Sequence, residues 1–257
     1  MLELKNISKI YNPGLVTEMC LFDGFNFTVN DGEFVSVIGS NGSGKTSMLN
    51  IICGSIPING GDVLINGKSI NKKKDFERYA NIGRVYQNPA MGNCPNMTIL
   101  ENMSLADNKG KPFGLSFALN KKRFDFYKEQ LAALGLGLED KLHVKMGALS
   151  GGQRQAVSLL MATLTPIDFL ILDEHTAALD PKTAEIIMEL TNKIVTEKKL
   201  TAIMVTHNLR YAVEYGSRLI MMDKGHIILD KQGEEKKSAS IDDILEIFNR
   251  ISIECGN

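Results

Sequence analysis

The sequence predicts an α/β fold with a mainly parallel sheet, an N-terminal antiparallel β subdomain and a mainly helical insertion. Three observations carry that prediction. Continuous apolar runs at "EFVSVIG" (33–39), "FLILDE" (169–174) and "TAIMVTH" (201–207) are of the kind buried on both faces of a parallel sheet. Near the N-terminus the pattern alternates instead, with Leu2 and Leu4, then Phe25, Phe27 and Val29, spaced by two and bounded by Asn30-Asp31-Gly32. Residues 89–148 show no buried-strand pattern; they carry helical spacings such as Tyr127, Leu131 and Leu134, with loop punctuation at Pro95, Pro112 and Gly114. A single domain over 1–257 is expected, with core and β subdomain at 1–88 and 149–257 and the helical part at 89–148.

The elements follow in order. "MLELKNISKIY" reads as a first strand, and "DVLINGKSI" as a hairpin turning at Asn66-Gly67. A helix is expected after Gly44, burying Met48, Leu49, Ile51 and Ile52 and stopped by Gly54. A second helix is expected over about Gln153 to Thr163. A third opens at Pro181 with Asp180 as N-cap and Ile186, Ile187, Leu190 and Ile194 as its buried stripe. "SRLIMMDKGHIILD" reads as a hairpin around Lys224-Gly225, and "KQGEEKK" as a loop before a C-terminal helix.

Composition narrows the function. Lys+Arg at 29 against Asp+Glu at 30 provide no global field for nucleic acid or anionic lipid. The runs Lys72-Lys73-Lys74 and Lys121-Lys122-Arg123 read as solvated faces. Cys20, Cys53, Cys94 and Cys255 are too widely spaced for a CxxC pair, which fits a reducing compartment. The charge-poor stretch Gln155 to Ile167 is too short to span a bilayer.

The chemistry concentrates at two places. Gly39-x4-Gly44-Lys45-Thr46 has the spacing of a P-loop and sits between a buried strand and an amphipathic helix, the context the motif requires. The segment Gly39, Ser40, Asn41, Gly42, Ser43, Gly44, Lys45, Thr46 and Ser47 is therefore the candidate phosphate cradle. Its N–H groups close on phosphates at a helix N-terminus, Lys45 reaches the β and γ phosphates, and Thr46 offers a hydroxyl to Mg²⁺. A glycine-rich turn with a surface lysine is the alternative. Asp173 and Glu174 emerge at the carboxyl end of "FLILDE", where ligands bind in open α/β sheets. Asp173 is the candidate for the Mg²⁺ shell and Glu174 for orienting or deprotonating the attacking water; two solvated carboxylates closing a strand are the alternative. "LSGGQ" at 149–153 adds a second glycine-rich segment, read as a backbone nest able to fold around an anion.

Together these motifs resemble the ATP-binding cassette (ABC) ATPases along nearly the whole chain. In order come the P-loop, Gln87 after "IGRVY", "LSGGQ", "LILDE", "ALD" at 178–180, and His207 after "AIMVT". The resemblance implies a P-loop NTPase core, with ATP and Mg²⁺ as substrate and cofactor. It implies that Tyr11 stacks on adenine, that Gln87 touches Mg²⁺ and water while sensing the helical insertion, and that His207 contacts the γ-phosphate and Glu174. Ser150, Gly151, Gly152 and Gln153 are implied to close the ATP of a second cassette, two chains meeting head to tail as a homodimer. The implied setting is the cytoplasmic face of the cell membrane, bound peripherally through separate integral permease subunits, with a solute-binding protein if the system imports. No nucleic-acid partner is expected. A lipid or lipoprotein extruder and a soluble ABC ATPase acting on nucleic acid or ribosomes are the alternatives. The chain departs from the family at His175 and Ala177, where proline and serine are common. Neither departure removes a phosphate or metal ligand, and "DEHTAALDP" resembles importer cassettes associated with amino-acid-like, aromatic solutes.

Overall fold

The computed structural model describes residues 1–111, 119 and 121–254, so Pro112, Gly114 and Cys255 lie outside the described residues. The chain forms two compact units, Met1–Arg78 with Thr201–Asn257 and Tyr79–Leu200.

The first unit opens with β1 (Leu2–Tyr11) and β2 (Met19–Val29), antiparallel with Leu4 opposite Phe27 and Leu2 opposite Val29. The period-two pattern buries Leu2 and Leu4, then Phe25, Phe27 and Val29, and Ile7 is buried past a register shift between Leu4 and Ile7. β3 (Phe34–Gly39) is buried at every position and runs straight into the turn before α1 (Lys45–Cys53). α1 buries Met48, Leu49, Ile51 and Ile52 and ends at Gly54, as its spacing predicts. β4 (Gly60–Ile65) pairs with the other edge of β1 and turns through Asn66-Gly67, both with positive φ, into β5 (Lys68–Ser69).

A short helix, α2 (Asp75–Tyr79), brings Arg78 against the end of α1. Its guanidinium donates to the carbonyls of Ile51 (3.0 Å), Ile52 (3.3 Å), Lys73 (3.2 Å) and Asn71 (3.3 Å). A cation at the negative end of the helix dipole thus binds last-turn carbonyls, that of Ile52 and also that of Ile51, whose oxygen shares the Gly54 N–H at 3.1 Å.

The second unit holds β6 (Ile82–Val85), α3 (Ile99–Asp107), α4 (Phe124–Ala132), α5 (Gly151–Ala162), β7 (Phe169–Asp173) and α6 (Pro181–Glu197). β6 and β7 are parallel, Ile82 beside Phe169 and Val85 beside Leu172. α3 starts with a full capping box from Thr98 and Glu101. Asp107 at its end accepts from Arg123 Nε (2.9 Å) and Nη2 (3.0 Å) and from the buried Tyr127 hydroxyl (2.9 Å). Arg123 is therefore an ion-pair partner and not part of a solvated run; an acid in the packed α3–α4 contact needs a counter-charge.

α6 begins at Pro181, with Asp180 accepting from the Thr183 N–H. Its buried stripe contains Ala184, Ile187, Met188, Leu190, Thr191, Ile194 and Val195, but Ile186 is 40% exposed. Ile186 lies about 100° around the helix from Ile187 and falls off the stripe.

The chain returns to the first unit with β8 (Thr201–Val205), α7 (Leu209–Glu214), β9 (Arg218–Asp223), β10 (His226–Gln232), α8 (Gly233–Lys237) and α9 (Ile241–Glu254). β3 is parallel to β8 on one side and β9 on the other, while β10 closes the expected hairpin antiparallel to β9. Ile38, Ala212, Leu219, Met221 and Ile244 form a core here, which fastens α9 beside α7. In place of the expected loop over "KQGEEKK", Lys231 and Gln232 end β10 and "GEEKK" forms α8. The Lys236 ammonium is drawn onto the carbonyls of Val213 (3.1 Å), Tyr215 (2.6 Å) and Gly216 (2.7 Å), and burial pushes its pKa down to about 8. Among the described residues no helix is long and apolar enough to cross a membrane.

Removing the cap on α1 tests its weight. Arg78→Ala is expected to lower the free energy of unfolding by about 1–3 kcal/mol, the cost of stranding buried carbonyls. Urea unfolding followed by circular dichroism measures this, and an unchanged midpoint counts against the cap.

Candidate functional site

The candidate phosphate loop is built around a buried cation. Lys45, only 5% exposed, donates from Nζ to the carbonyls of Gly39 (2.8 Å) and Ser40 (2.8 Å) and to Ser43 Oγ (3.4 Å). Those carbonyls can turn inward because Gly39, Gly42 and Gly44 take φ of 151°, 79° and 104°. At Gly39 a Cβ would lie 2.1 Å from the Met222 carbonyl oxygen, so no other residue fits. The loop is also pinned from outside: Ser40 Oγ donates to Asp223 Oδ1 at 2.8 Å, and the Gly225 N–H donates to the Ser43 carbonyl at 3.0 Å. Asn41, Gly42 and Thr46 remain exposed.

Two more candidates from the sequence lie beside this loop. Tyr11 ends β1 with its hydroxyl 3.2 Å from Ser47 Oγ in the first turn of α1, and the Lys9 ammonium sits 4.8 Å from its ring centre. His207 follows β8 and lines a cavity of about 410 Å³ with Gly39, Ser40, Asn41 and Thr206. The first unit thus gathers Tyr11, the whole loop and His207.

The second unit gathers Gln87, Asp173 and Glu174. Gln87 lies two residues beyond Val85 on β6, and Glu174 two beyond Leu172, the partner of Val85 on β7. Glu174 has φ of 48°, a left-handed conformation that costs a non-glycine residue on the order of 1–3 kcal/mol and is found where a site demands it. Asp173 accepts from Arg84 Nη2 at 2.7 Å through Oδ2. Gln155, buried on α5, donates to the Tyr86 carbonyl at 3.1 Å and so fixes the chain just before Gln87.

"LSGGQ" forms a helix start. Ser150 is the N-cap of α5: its Oγ accepts from the Gln153 N–H (3.2 Å), and Gln153 Oε1 accepts from the Ser150 N–H (3.3 Å). This capping box starts the helix at Gly151, two residues earlier than the spacing suggests. Gly151 and Gly152 are ordinary helical residues with no positive φ, so the local chemistry is a capped helix N-terminus and not a nest. At Gly152 glycine is required by packing, because a Cβ would lie 2.1 Å from Thr183 Cγ2 on α6.

The ABC transporter family model matches residues 22–177 of this sequence. The chain belongs to the ABC transporter family. A tyrosine transport ATP-binding protein of Clostridioides difficile is 45% identical over 248 residues, covering 96% of this chain and 98% of that protein. A phosphonates import ATP-binding protein of Lactococcus lactis is 31% identical, with 95% and 98% covered. The solved dimeric structure of the ATP-binding cassette MJ0796, in a post-hydrolysis state bound to ADP and Pi, matches with a TM-score of 0.76 at 32% identity, over 90% of this chain and 98% of that one. The expected fold class holds, and the cassette is an ATPase that binds ATP.

Arg84 escapes a motif-based reading, and the burial and partner of His175 are not legible from its place in the motif. Arg84 stands in the apolar strand "IGRVY", and that lone cation was the signal for a buried partner. His175 is buried, with Nε2 3.1 Å from Thr191 Oγ1, which itself donates to the Ile187 carbonyl at 2.7 Å. Thr191 has spent its proton on that carbonyl, so His175 donates from Nε2. Burial lowers the His175 pKa to about 4.

Both glycine packing and histidine burial have measurable consequences. Gly152→Ala is expected to destabilise by about 1–3 kcal/mol through overpacking. Adding Thr183→Ser, which deletes the offending methyl, should restore most of that in a thermal melt; no restoration places the strain elsewhere. For His175 the unfolded chain binds a proton below about pH 6.5 and the folded one only below about pH 4. Stability is therefore full above pH 6.5 and falls between pH 6.5 and 4 by about 1.4 kcal/mol per unit from this group. Chemical unfolding at pH 7 and 5 should show a smaller drop for His175→Gln than for the wild type.

Proposed function

We propose that this chain is the ATP-hydrolysing subunit of a small-solute importer, with an amino acid or similar molecule as solute, working on separate membrane permease subunits. The observation that carries the reading is the 45% identity, over nearly the full length of both chains, to a tyrosine transport ATP-binding protein. A phosphonate-import relative supports import over export.

In this reading Gly39 to Ser47 hold the triphosphate and Tyr11 lies against the adenine. Lys45 exchanges its loop carbonyls for β and γ phosphate oxygens, a charge-assisted contact. Thr46, Gln87 and Asp173 supply hydroxyl, amide and carboxylate oxygens; Asp173 Oδ1 accepts no hydrogen bond among the described residues, and such hard donors suit Mg²⁺. When bound, that ion neutralises charge on the phosphates. Glu174 orients and deprotonates the attacking water, and His207 contacts the γ-phosphate. The capped N-terminus of α5, with the N–H groups of Gly151 and Gly152 at its first positions, closes the nucleotide of a second copy meeting head to tail. ATP joins the two cassettes, its hydrolysis releases them, and the movement passes to the permease through the helical part. The chain is then peripheral at the cytoplasmic face of the membrane, and a solute-binding protein delivers cargo outside.

Glu174→Gln keeps the shape of the side chain and removes the base. Turnover should fall about 10²–10⁴-fold, while ATP still binds and a nucleotide-loaded dimer accumulates on size exclusion. Normal turnover would assign the water to another residue. Purification of this variant from membranes should recover an integral permease; recovery of ribosomes instead would sink the transport reading.

A further inference from the structure

We propose that Arg84 is a resident counter-ion of Asp173 that competes with the divalent cation for this carboxylate, so that Arg84 helps to set how much Mg²⁺ the cassette requires. The inference rests on the reading of Asp173 as a Mg²⁺ donor.

The pairing follows from strand register. Arg84 on β6 lies beside Ile171 on β7, and Asp173 is two residues further along β7. Side chains repeat with period two along a strand, so all three share one face of the β6–β7 pair. Arginine is long enough to reach forward along that face. Its Nη2 meets Asp173 Oδ2 at 2.7 Å, with side-chain exposures of only 6% and 12%. Water screens such a pair poorly, so each charge feels the other strongly.

Arginine does not shed its proton at any ordinary pH. A lysine or histidine in this place could become neutral when a metal arrived; Arg84 keeps its charge. One carboxylate carries one negative charge, and the guanidinium already balances it. A cation drawn to Asp173 meets that positive charge at close range and must share the carboxylate or displace the guanidinium from Oδ2. The surroundings give the displaced group support: it lies 4.6 Å from the centre of the Tyr86 ring, and Nη1 donates to the Tyr79 hydroxyl at 3.4 Å. Arg84 thus holds a buried carboxylate in the absence of metal and opposes the metal when it comes.

The test titrates Mg²⁺ against binding of a fluorescent, non-hydrolysable ATP analogue, read as anisotropy. Wild type, Arg84→Met, Arg84→Lys and Asp173→Asn are compared. Arg84→Met removes the competing charge, and the half-saturating Mg²⁺ concentration should fall by about tenfold, given the strength of a close, weakly screened charge. Arg84→Lys keeps the charge and should stay within about threefold of the wild type. Asp173→Asn should raise the midpoint. If Arg84→Met does not fold, Arg84→Gln takes its place, since an amide still donates to Oδ2 without charge. A midpoint unchanged or raised on loss of the Arg84 charge, with Asp173→Asn still raising it, overturns the proposal and leaves Asp173 as a metal donor. A midpoint indifferent to Asp173→Asn overturns the Asp173 reading and this proposal with it.

Discussion

Burying the Lys45 ammonium imposes most of the geometry of the first unit. A desolvated cation needs oxygen around it, and the nearest oxygens are the carbonyls of its own loop. Turning the carbonyls of Gly39 and Ser40 inward sends neighbouring peptide N–H groups outward, because the two ends of each peptide unit point in opposite directions. The same wrapping that satisfies the lysine therefore presents donors to an anion. It requires positive φ at Gly39, Gly42 and Gly44 and rigid walls on both sides. β8 and β9 supply one wall by flanking β3; Phe22, whose ring would lie 2.9 Å from a Cβ at Gly44, supplies the other. Arg78 then fixes the far end of the helix that carries the lysine.

The second unit is organised by paired charges at the ends of its elements. Asp107 with Arg123 fastens α3 to α4, and Asp173 with Arg84 joins β7 to β6. The Arg84–Asp173 pair is buried on both sides, and such a pair contributes little net stability over apolar contacts, but breaking it leaves an uncompensated charge, so it fixes register firmly; in the other pair Arg123 stays partly exposed over a nearly buried Asp107. In β6 and β7 that register decides where Gln87 and Glu174 emerge. Gln155 reinforces it by binding the Tyr86 carbonyl from the helix that begins at Ser150.

Period and punctuation made much of this legible. Alternation at Leu2 and Leu4, the solid run at β3, and the Asn66-Gly67 and Lys224-Gly225 turns each report local backbone constraints, and local constraints are written in adjacent residues. The same holds for Asp180 and Pro181 at the start of α6. What escaped depends on partners far along the chain. Nothing next to Lys236 announces the carbonyls of Val213, Tyr215 and Gly216, and nothing next to Arg123 announces Asp107. A cation in a polar run has the same appearance whether water or a buried oxygen receives it. "GG" in the signature misled for a related reason: glycine permits positive φ but equally permits close approach, and only Thr183 on α6 distinguishes the two at Gly152.

His175 shows how a departure from family pattern can be absorbed without loss of order. Proline would stiffen the turn after β7 through its own ring; here the turn is held by a side chain reaching α6. Its Nε2–H meets Thr191, whose hydroxyl proton already goes to Ile187, so one hydrogen-bond chain runs from the turn into the helix backbone. At the other end Asp180 caps α6 through the Thr183 N–H. The segment from His175 to Asp180 is thus tied to α6 at both ends, directly after the left-handed φ of Glu174. A shift of α6 must then carry Glu174 with it. Ala177, without the hydroxyl common at that place, sits exposed on this tied segment. The Ala177 N–H donates to the Glu174 carbonyl at 2.9 Å and the Leu179 N–H to the Thr176 carbonyl at 3.2 Å, so the turn is held by its own backbone and by the His175 and Asp180 contacts with α6, and not through the hydroxyl that the family more often uses.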